Sequence, residues 1–318
     1  MNKDTLNIIV NFDNNFINMA IVFFVSMMKN ASTSVNYKVY ILTDNLSKSN
    51  FEKLNYNLKD YNNIKFEIID LNNMLNKYSF SRAWRSNTIV NYCRLFIPEL
   101  FPDFDKVLYL DVDMIVNRNI EELYNIEIDK DCYIAAVSGY ATRGMPSKGD
   151  EEHIKKIIPD LNNMELYFND GMFLINLKKI REEGFYNRDL ILKMCAQELL
   201  FADQDILNII YHGKVHYLDV RWNVGMVKNY NGLNECYAMS IYDPYIIHYN
   251  GHKRPMNYRG VKLQEYFWAN ARETFIYEDL LINLMGNSIN DYVEKINLKQ
   301  LIKVILKKIK NWRFSVKN

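Results

Sequence analysis

The chain has 318 residues, of which 49% are hydrophobic and 24% charged. This is the ordinary range for a globular protein with one large domain or two modest ones. Its 39 basic and 38 acidic residues give a net charge of +1, which excludes a wholly basic nucleic-acid binder. The four cysteines, Cys93, Cys132, Cys195 and Cys236, form no C-x-x-C pair, so neither a disulfide framework nor a zinc cluster is expected, and free thiols in a reducing cytoplasm are the simpler reading.

Asp4 and Asn7 interrupt any signal-peptide pattern at the N-terminus. Asn7–Phe12 (NIIVNF) is a strand candidate, followed by polar 13–15 and the helix-like FINMAIVFFVSMMKNA. The apolar window Met19–Met28 is shorter than the about 20 residues a bilayer span needs and reads as a buried helix. Tyr37–Thr43 is a second strand, FEKLNYNLKDY a polar helix, Ile64–Leu71 a third strand, and Asn87–Phe101 a helix with Pro98 and Pro102 near its end. The run VLYLDVDMIV, 107–116, reads as the next strand. Strands alternating with helices predict an α/β fold with a mainly parallel sheet, and continuous apolar runs predict a sheet covered on both faces. Beyond residue 130, Tyr133–Val137, Phe168–Leu177, Val215–Val220 and Tyr245–Tyr249 read as strands of the same domain. From Lys262 the pattern turns helical, and Gly286-Asn287-Ser288 marks a break before the last helix. The chain thus divides into a domain over 1–265 and a helical extension over 266–318.

That extension carries a charge asymmetry. From Lys295 onward there are eight basic residues and no acidic one; removing those 8 from the 39 leaves 31 against 38 acids, a net of −7 for the body. Apolar residues at 298, 301, 302, 305, 309 and 312 follow helical spacing, with lysines at 295, 299, 303, 307 and 310 as a separate stripe and Trp312 and Phe314 as aromatics. A basic amphipathic helix of this kind suits an anionic membrane surface; the alternative is a helix packed on the acidic body.

Chemistry concentrates where VLYL runs into Asp111-Val112-Asp113. In open α/β sheets ligands bind beyond the carboxyl ends of strands. At i and i+2 of extended backbone both carboxylates face one way and repel unless a cation lies between them. Hard oxygen ligands suit Mn²⁺ or Mg²⁺; a solvated acidic turn is the bland alternative. YIIHYNGHKRP, 245–255, adds His248 as a further ligand candidate, Gly251 for close backbone approach to a phosphate, and Lys253 and Arg254 as cations for a diphosphate.

These segments, IIVNFDNNF, YCRLFIPELFPDFDKVLYLDVDMIV, YFNDGMFLINL, ADQDILN and HYNGHKRP, in this order from Ile8 to about Asn257, resemble the retaining glycosyltransferases of family 8. These include bacterial lipopolysaccharide galactosyl- and glucosyltransferases, with glycogenin a distant relative. The resemblance implies a GT-A fold, a UDP-hexose donor and Mn²⁺, with Mg²⁺ the second candidate. It also implies a saccharide acceptor, lipid-linked or a cell-surface glycan, and work at the cytoplasmic face of the membrane. By the same resemblance Asp111, Asp113 and His248 would hold the metal. Asp13 and Asn15 would contact the nucleotide, Phe16 would stack on uracil, and Arg94, Val112, Asn169, Gly251, Lys253 and Arg254 would bind donor sugar or diphosphate. Gln204 would lie beneath the anomeric carbon, with Asp205 and Asp170 as residues that stabilise the developing cation or position the acceptor.

Three positions depart from the family pattern: Arg254 stands where a lysine is usual, Ser138-Gly139 where an aspartate is usual, and Asp170 where a small residue is usual. The segments Tyr140–Lys148 and Arg221–Tyr230 are the expected acceptor loops. Two other readings of DVDMIV are a haloacid-dehalogenase-like phosphohydrolase with Asp111 as nucleophile, which lacks a downstream G-D-x-x-x-D here, and a non-catalytic UDP-sugar-binding module.

Overall fold

A computed structural model of the protein describes residues 4–72, 89–140, 146–226, 239–251, 253–288 and 302–303. A seven-stranded sheet has the order β3-β2-β1-β4-β7-β6-β8, with β1 Thr5–Asn11, β2 Asn36–Thr43, β3 Ile64–Asp70, β4 Lys106–Asp111, β6 Ile134–Ser138, β7 Phe168–Asn176 and β8 Val215–Tyr217. Pairing is parallel except for β7, which runs antiparallel to both β4 and β6. A small second sheet has the order β5-β10-β9, from β5 Met114–Val116, β9 Val224–Gly225 and β10 Ile246–His248.

VLYLDVDMIV is therefore two strands, not one. β4 lies in the large sheet, the chain bends at Val112 and Asp113, and β5 joins the small sheet opposite β10. The same-face argument for Asp111 and Asp113 does not apply across that bend. Their convergence comes from sheet pairing instead: Asp111 is the register partner of Asn11 on β1, and Met114, just after Asp113, is the partner of His248.

Alternation along the central strands divides the core. Ile8, Val10, Leu108 and Leu110 face one side, where helix α1, Ile17–Lys29, packs; Ile9, Tyr40, Val107 and Tyr109 face the other, under the 89–100 segment. α1 is apolar all round because it is enclosed, with Phe23 and Phe24 both 0% exposed, each burial contributing about 1.5–3 kcal/mol. Its one polar interior residue, Ser26, donates to the Phe23 carbonyl and accepts from Val116 N–H, which ties α1 to β5. Polar α2, Lys48–Asn57, covers the outside of α1 with Leu54 buried.

Several expectations need correction. β3 is an edge strand with no fully buried residue and with Ile68 exposed, so the sheet is not covered on both faces there. Ile89–Phe96 is 3₁₀ helix, with only Ile97–Leu100 α-helical; proline at 98 suits a helix start rather than an end. The strand at 215 stops at Tyr217 and Val220–Asn223 is a 3₁₀ turn. The helix over 277–288 continues through Gly286-Asn287-Ser288 without a break, and Ser288 Oγ donates to the Leu284 carbonyl one turn back.

The segment beyond 265 begins inside the helix Gln264–Ala271, and Phe267, Ala271, Ile276 and Leu280 belong to the main core. Of the basic tail, only Ile302 and Lys303 are described, both exposed and helical; the rest of the tail, and residues 141–145 and 227–230 of the two expected acceptor loops, lie outside the described residues. No helix among the described residues is long and apolar enough to cross a membrane. Cys93, Cys132 and Cys195 are free thiols.

Candidate active site

β1 and β4 are neighbours whose chains leave in opposite directions across the sheet, and the crevice at their C-terminal ends is the position at which open α/β sheets bind ligands. The cleft there is lined by Asn11, Asp13, Phe16, Arg94, Val112 and Arg254, among others. At its floor, one ligand atom each from Asp111, Asp113 and His248 lies within 4.8 Å of the others. His248 Nε2 is 3.1 Å from Asp113 Oδ1 and 3.8 Å from Asp111 Oδ2.

Two arginines hold the opposite oxygens. Arg94 Nη2 donates to Asp111 Oδ1 at 3.1 Å, and Arg254 donates to Asp113 Oδ2 through Nε at 3.2 Å and Nη2 at 2.9 Å. Each carboxylate is thereby left with a single oxygen toward His248. Two hard oxygens and one imidazole nitrogen fit Mn²⁺ or Mg²⁺, whereas Ca²⁺ favours more oxygens and bidentate carboxylates. The space is kept open by Gly171 on β7. A Cβ there would lie 2.4 Å from His248 Cε1 and 2.8 Å from Asp111 Oδ2.

The two carboxylates are driven in opposite directions. Burial raises Asp111 above the ordinary carboxylate range, and the Arg94 charge offsets it only in part. Burial acts on Asp113 as well, but the His248 charge and hydrogen bond, followed by Arg254, outweigh it and hold Asp113 below that range. Tyr109 is buried beneath them; its hydroxyl is hydrogen-bonded to Asn11 Oδ1 and lies 2.8 Å from Asp111 Oδ1.

Arg94 is a buried hub, not a surface charge. Besides Asp111 it pairs with Asp170 Oδ2 through Nη1 and Asp203 Oδ2 through Nε, both at 3.0 Å, and it donates to the Asp170 carbonyl at 2.9 Å. Three carboxylates around one guanidinium leave excess negative charge in a dry place. Asp203 takes the consequence: burial, with Asp170 next to it, pushes its carboxyl well above the usual range despite Arg94.

A chain of amides leads away from the metal ligands. His248 Nδ1 is 3.0 Å from Asn223 Oδ1, Asn223 Nδ2 donates to Asn169 Oδ1 at 2.9 Å, and Asn169 Nδ2 donates to Gln204 Oε1 at 3.0 Å. Gln204 sits in the first turn of the helix Asp203–Ile210. The residue before that helix, Ala202, has φ 50° and ψ −118°, a strained backbone for a residue with a Cβ.

The remaining expected residues divide. Asp13 caps the 3₁₀ turn Asn14–Phe16 by accepting from Asn15 N–H, and Asn15 Nδ2 donates back to it at 3.0 Å. Phe16 faces the Arg254 guanidinium at 4.8 Å. Lys253 points elsewhere, to the Tyr258 ring at 5.8 Å, so Arg254 is the cation that joins the cluster. A Cβ at Gly251 would meet nothing within 4 Å, so no protein contact there demands glycine. Asp205 is not brought to the cluster. Fully buried, it accepts from Tyr167 Oη at 2.5 Å and Phe201 N–H at 2.9 Å, and it lies 2.7 Å from His153 Nε2.

Sequence reasoning missed Asn11, Tyr109 and Asn223. Tyr109 did carry a signal, since a tyrosine inside a buried apolar strand needs a partner for its hydroxyl. Asn223, in Arg221-Trp222-Asn223-Val224, carried only the weaker hint of an amide beside apolar neighbours.

Known proteins resemble this chain in sequence and in fold. The family model described as Glycosyl transferase family 8 matches residues 7–259. A "Putative glycosyltransferase" of Haemophilus influenzae is 29% identical over 222 residues, covering 70% of this chain and 64% of its own length. The "Lipopolysaccharide 1,3-galactosyltransferase" of Salmonella typhimurium is 26% identical, covering 83% of this chain and 77% of its own. Among solved structures, the apo bifunctional glycosyltransferase WbbM superposes with TM-score 0.76 at 23% identity, over 90% of this chain and 52% of that one. The galactosyltransferase LgtC, solved with donor and acceptor sugar analogs, gives 0.66 at 24%, over 85% and 96%. The chain thus spans less than two thirds of the Haemophilus protein and about half of WbbM.

Proposed function

The chain belongs to glycosyltransferase family 8 and has the GT-A fold, and from that premise we propose that it transfers a hexose, galactose or glucose, from a UDP-sugar to a saccharide acceptor with retention of configuration. The observation that carries this reading is the convergence of Asp111, Asp113 and His248 at the floor of a cleft lined by Asp13, Phe16, Arg94 and Arg254. A glycan or lipid-linked acceptor is supported by the lipopolysaccharide galactosyltransferase relative.

A divalent cation, Mn²⁺ by preference, held by Asp111, Asp113 and His248 would supply charge stabilisation to the departing diphosphate. Every other role falls to the chain itself. Asp13 and Asn15 engage the nucleotide, Phe16 offers a ring face to uracil, and the backbone at Val112 borders the same cleft. Arg254 is fork-shaped and can share its guanidinium between Asp113 and a diphosphate oxygen, which a lysine does less well; Gly251 and Lys253 flank it. Asn169 and Gln204 face the transferred sugar, with Arg94 and Asp170 behind them.

Gln204 is a neutral amide and a poor nucleophile. The acceptor hydroxyl therefore attacks the anomeric carbon from the face the diphosphate leaves. Its oxygen bonds to that carbon, the carbon–phosphate-oxygen bond breaks, and the proton passes to the departing oxygen. Asp170 is the carboxylate nearer this event, while Asp205 has its oxygens engaged by Tyr167, His153 and a backbone N–H. The extension over 266–318 belongs to the same proposal: its basic stripe holds the enzyme at an anionic membrane surface on the cytoplasmic side, where lipid-linked acceptors lie.

The test is UDP release from a panel of UDP-sugars with and without Mn²⁺, in wild type and Asp113→Ala. Mn²⁺-dependent turnover of one hexose donor that is lost in the variant is expected. Turnover of none, with no UDP binding by calorimetry, or equal turnover in the variant, would overturn the reading.

A further inference from the structure

The amide chain between His248 and Gln204 has a fixed polarity, and that polarity starts from one backbone group. Gly171 N–H can only donate, and it donates to Asn169 Oδ1 at 3.2 Å. That end of the Asn169 amide is therefore the acceptor, so its Nδ2 faces Gln204 and meets the Gln204 carbonyl oxygen at 3.0 Å. The Asn223 group that meets Asn169 Oδ1, at 2.9 Å, must be its Nδ2. The Asn223 oxygen is then turned to His248 Nδ1 at 3.0 Å, and Nδ1 must carry a hydrogen. Nε2 is thereby the nitrogen whose lone pair the neutral ring can give to a cation; with none bound it faces Asp113 Oδ1 at 3.1 Å and Asp111 Oδ2 at 3.8 Å. All four side chains are at most 3% exposed, so water does not compete for these bonds.

We infer that Asn223 is a positioning residue for the cation site: it locks His248 in the Nδ1–H tautomer with Nε2 aimed between Asp111 and Asp113, and it joins that site to Gln204 through Asn169. The inference rests on the metal reading proposed above. The physics is general. A ligating imidazole is oriented by the acceptor on its other nitrogen, and loss of that acceptor weakens metal binding by about 10–100-fold. An amide oxygen is the weaker form of such an acceptor, and a carboxylate is the stronger. The link has a second consequence: Gln204 is held by its carbonyl oxygen and presents its N–H₂ on the side away from Asn169, so it meets the donor as a hydrogen-bond donor.

The experiment is Mn²⁺ binding to the full chain without donor or acceptor, read as free Mn²⁺ by electron paramagnetic resonance, for wild type, Asn223→Leu and Asn223→Asp. Leucine keeps the volume and removes the acceptor, and should weaken binding about 10–100-fold. Aspartate keeps an acceptor on His248 Nδ1 while losing the N–H₂ given to Asn169 Oδ1, and should bind Mn²⁺ more tightly than leucine does. Pure packing would let leucine serve at least as well as aspartate. A second measurement, ¹⁵N-histidine spectra of the Mg²⁺-saturated wild type, should report the Nδ1–H tautomer and needs no variant to fold. Wild-type Mn²⁺ binding with an unchanged Asn223→Leu, or an Nε2–H tautomer, overturns the role of Asn223 alone. Wild-type protein that binds no Mn²⁺ overturns the metal reading and this inference with it.

Discussion

Gly171→Ala adds one methyl group, and the structure gives its cost. The new carbon would stand 2.4 Å from His248 Cε1 and 2.8 Å from Asp111 Oδ2, while non-bonded carbons settle at about 3.5–4.0 Å. The imidazole must therefore retreat by about 1 Å or more. Metal–ligand distances hold within about 0.2 Å, so a shift of that size removes His248 from the ligand set. His248 has little room to move, being 3% exposed and bonded to Asn223, so overpacking should also cost about 1–3 kcal/mol of stability. Gly149, in the helix Lys148–Ile157, is the control: a Cβ there meets nothing within 4 Å, and alanine should stabilise that helix by up to about 1 kcal/mol. The assay is Mn²⁺ affinity beside thermal unfolding for both variants. Wild-type Mn²⁺ affinity in Gly171→Ala would refute the assignment of His248 as a ligand.

Other perturbations follow from the charges. Asp203→Asn removes a carboxyl whose pKa is raised by burial. A group raised in the fold costs stability once pH climbs above its unfolded value near 4, so the asparagine variant should match wild type at pH 4 and melt higher at pH 8; a lower melting temperature at pH 8 would show that the Arg94 pair dominates. Arg254→Ala takes away one of the cations that depress Asp113, so its carboxyl should titrate higher, read by carboxyl ¹³C NMR of the metal-free chain; an unmoved titration would argue against this pairing. Asp205→Asn weakens three hydrogen bonds at a fully buried carboxylate and should lower stability by about 1.5–3 kcal/mol, the range for bonds to a charged group, measured by urea unfolding; an unchanged midpoint would mean that those bonds contribute nothing net.

What the sequence conveyed about the fold follows from which forces act locally. β1, β2 and α1 were legible because apolar runs and their breaks are set by burial, and burial leaves a period that can be read. VLYLDVDMIV was misread as one strand because the bend at Val112 and Asp113 is imposed by two different sheets competing for its halves, and pairing partners 130 residues away leave no mark on the run itself. The 3₁₀ turn at Ile89–Phe96 was missed for a related reason: it carries Arg94 onto three carboxylates far along the chain, and such contacts leave no mark on the local sequence.

The site shows the same division. Asp111, Asp113 and His248 could be named because metal chemistry restricts residue type, and few other residues serve. Asn223 could not, because an amide that orients a histidine is chemically the same as an amide that caps a turn, and only the direction of its hydrogen bonds separates the two. That direction is fixed by the Gly171 N–H, 52 residues earlier, at the one position on β7 where a side chain would also collide with the metal ligands. Gly171 thus does two jobs that sequence alone cannot connect: its missing Cβ makes room for His248, and its N–H sets the polarity that aims it.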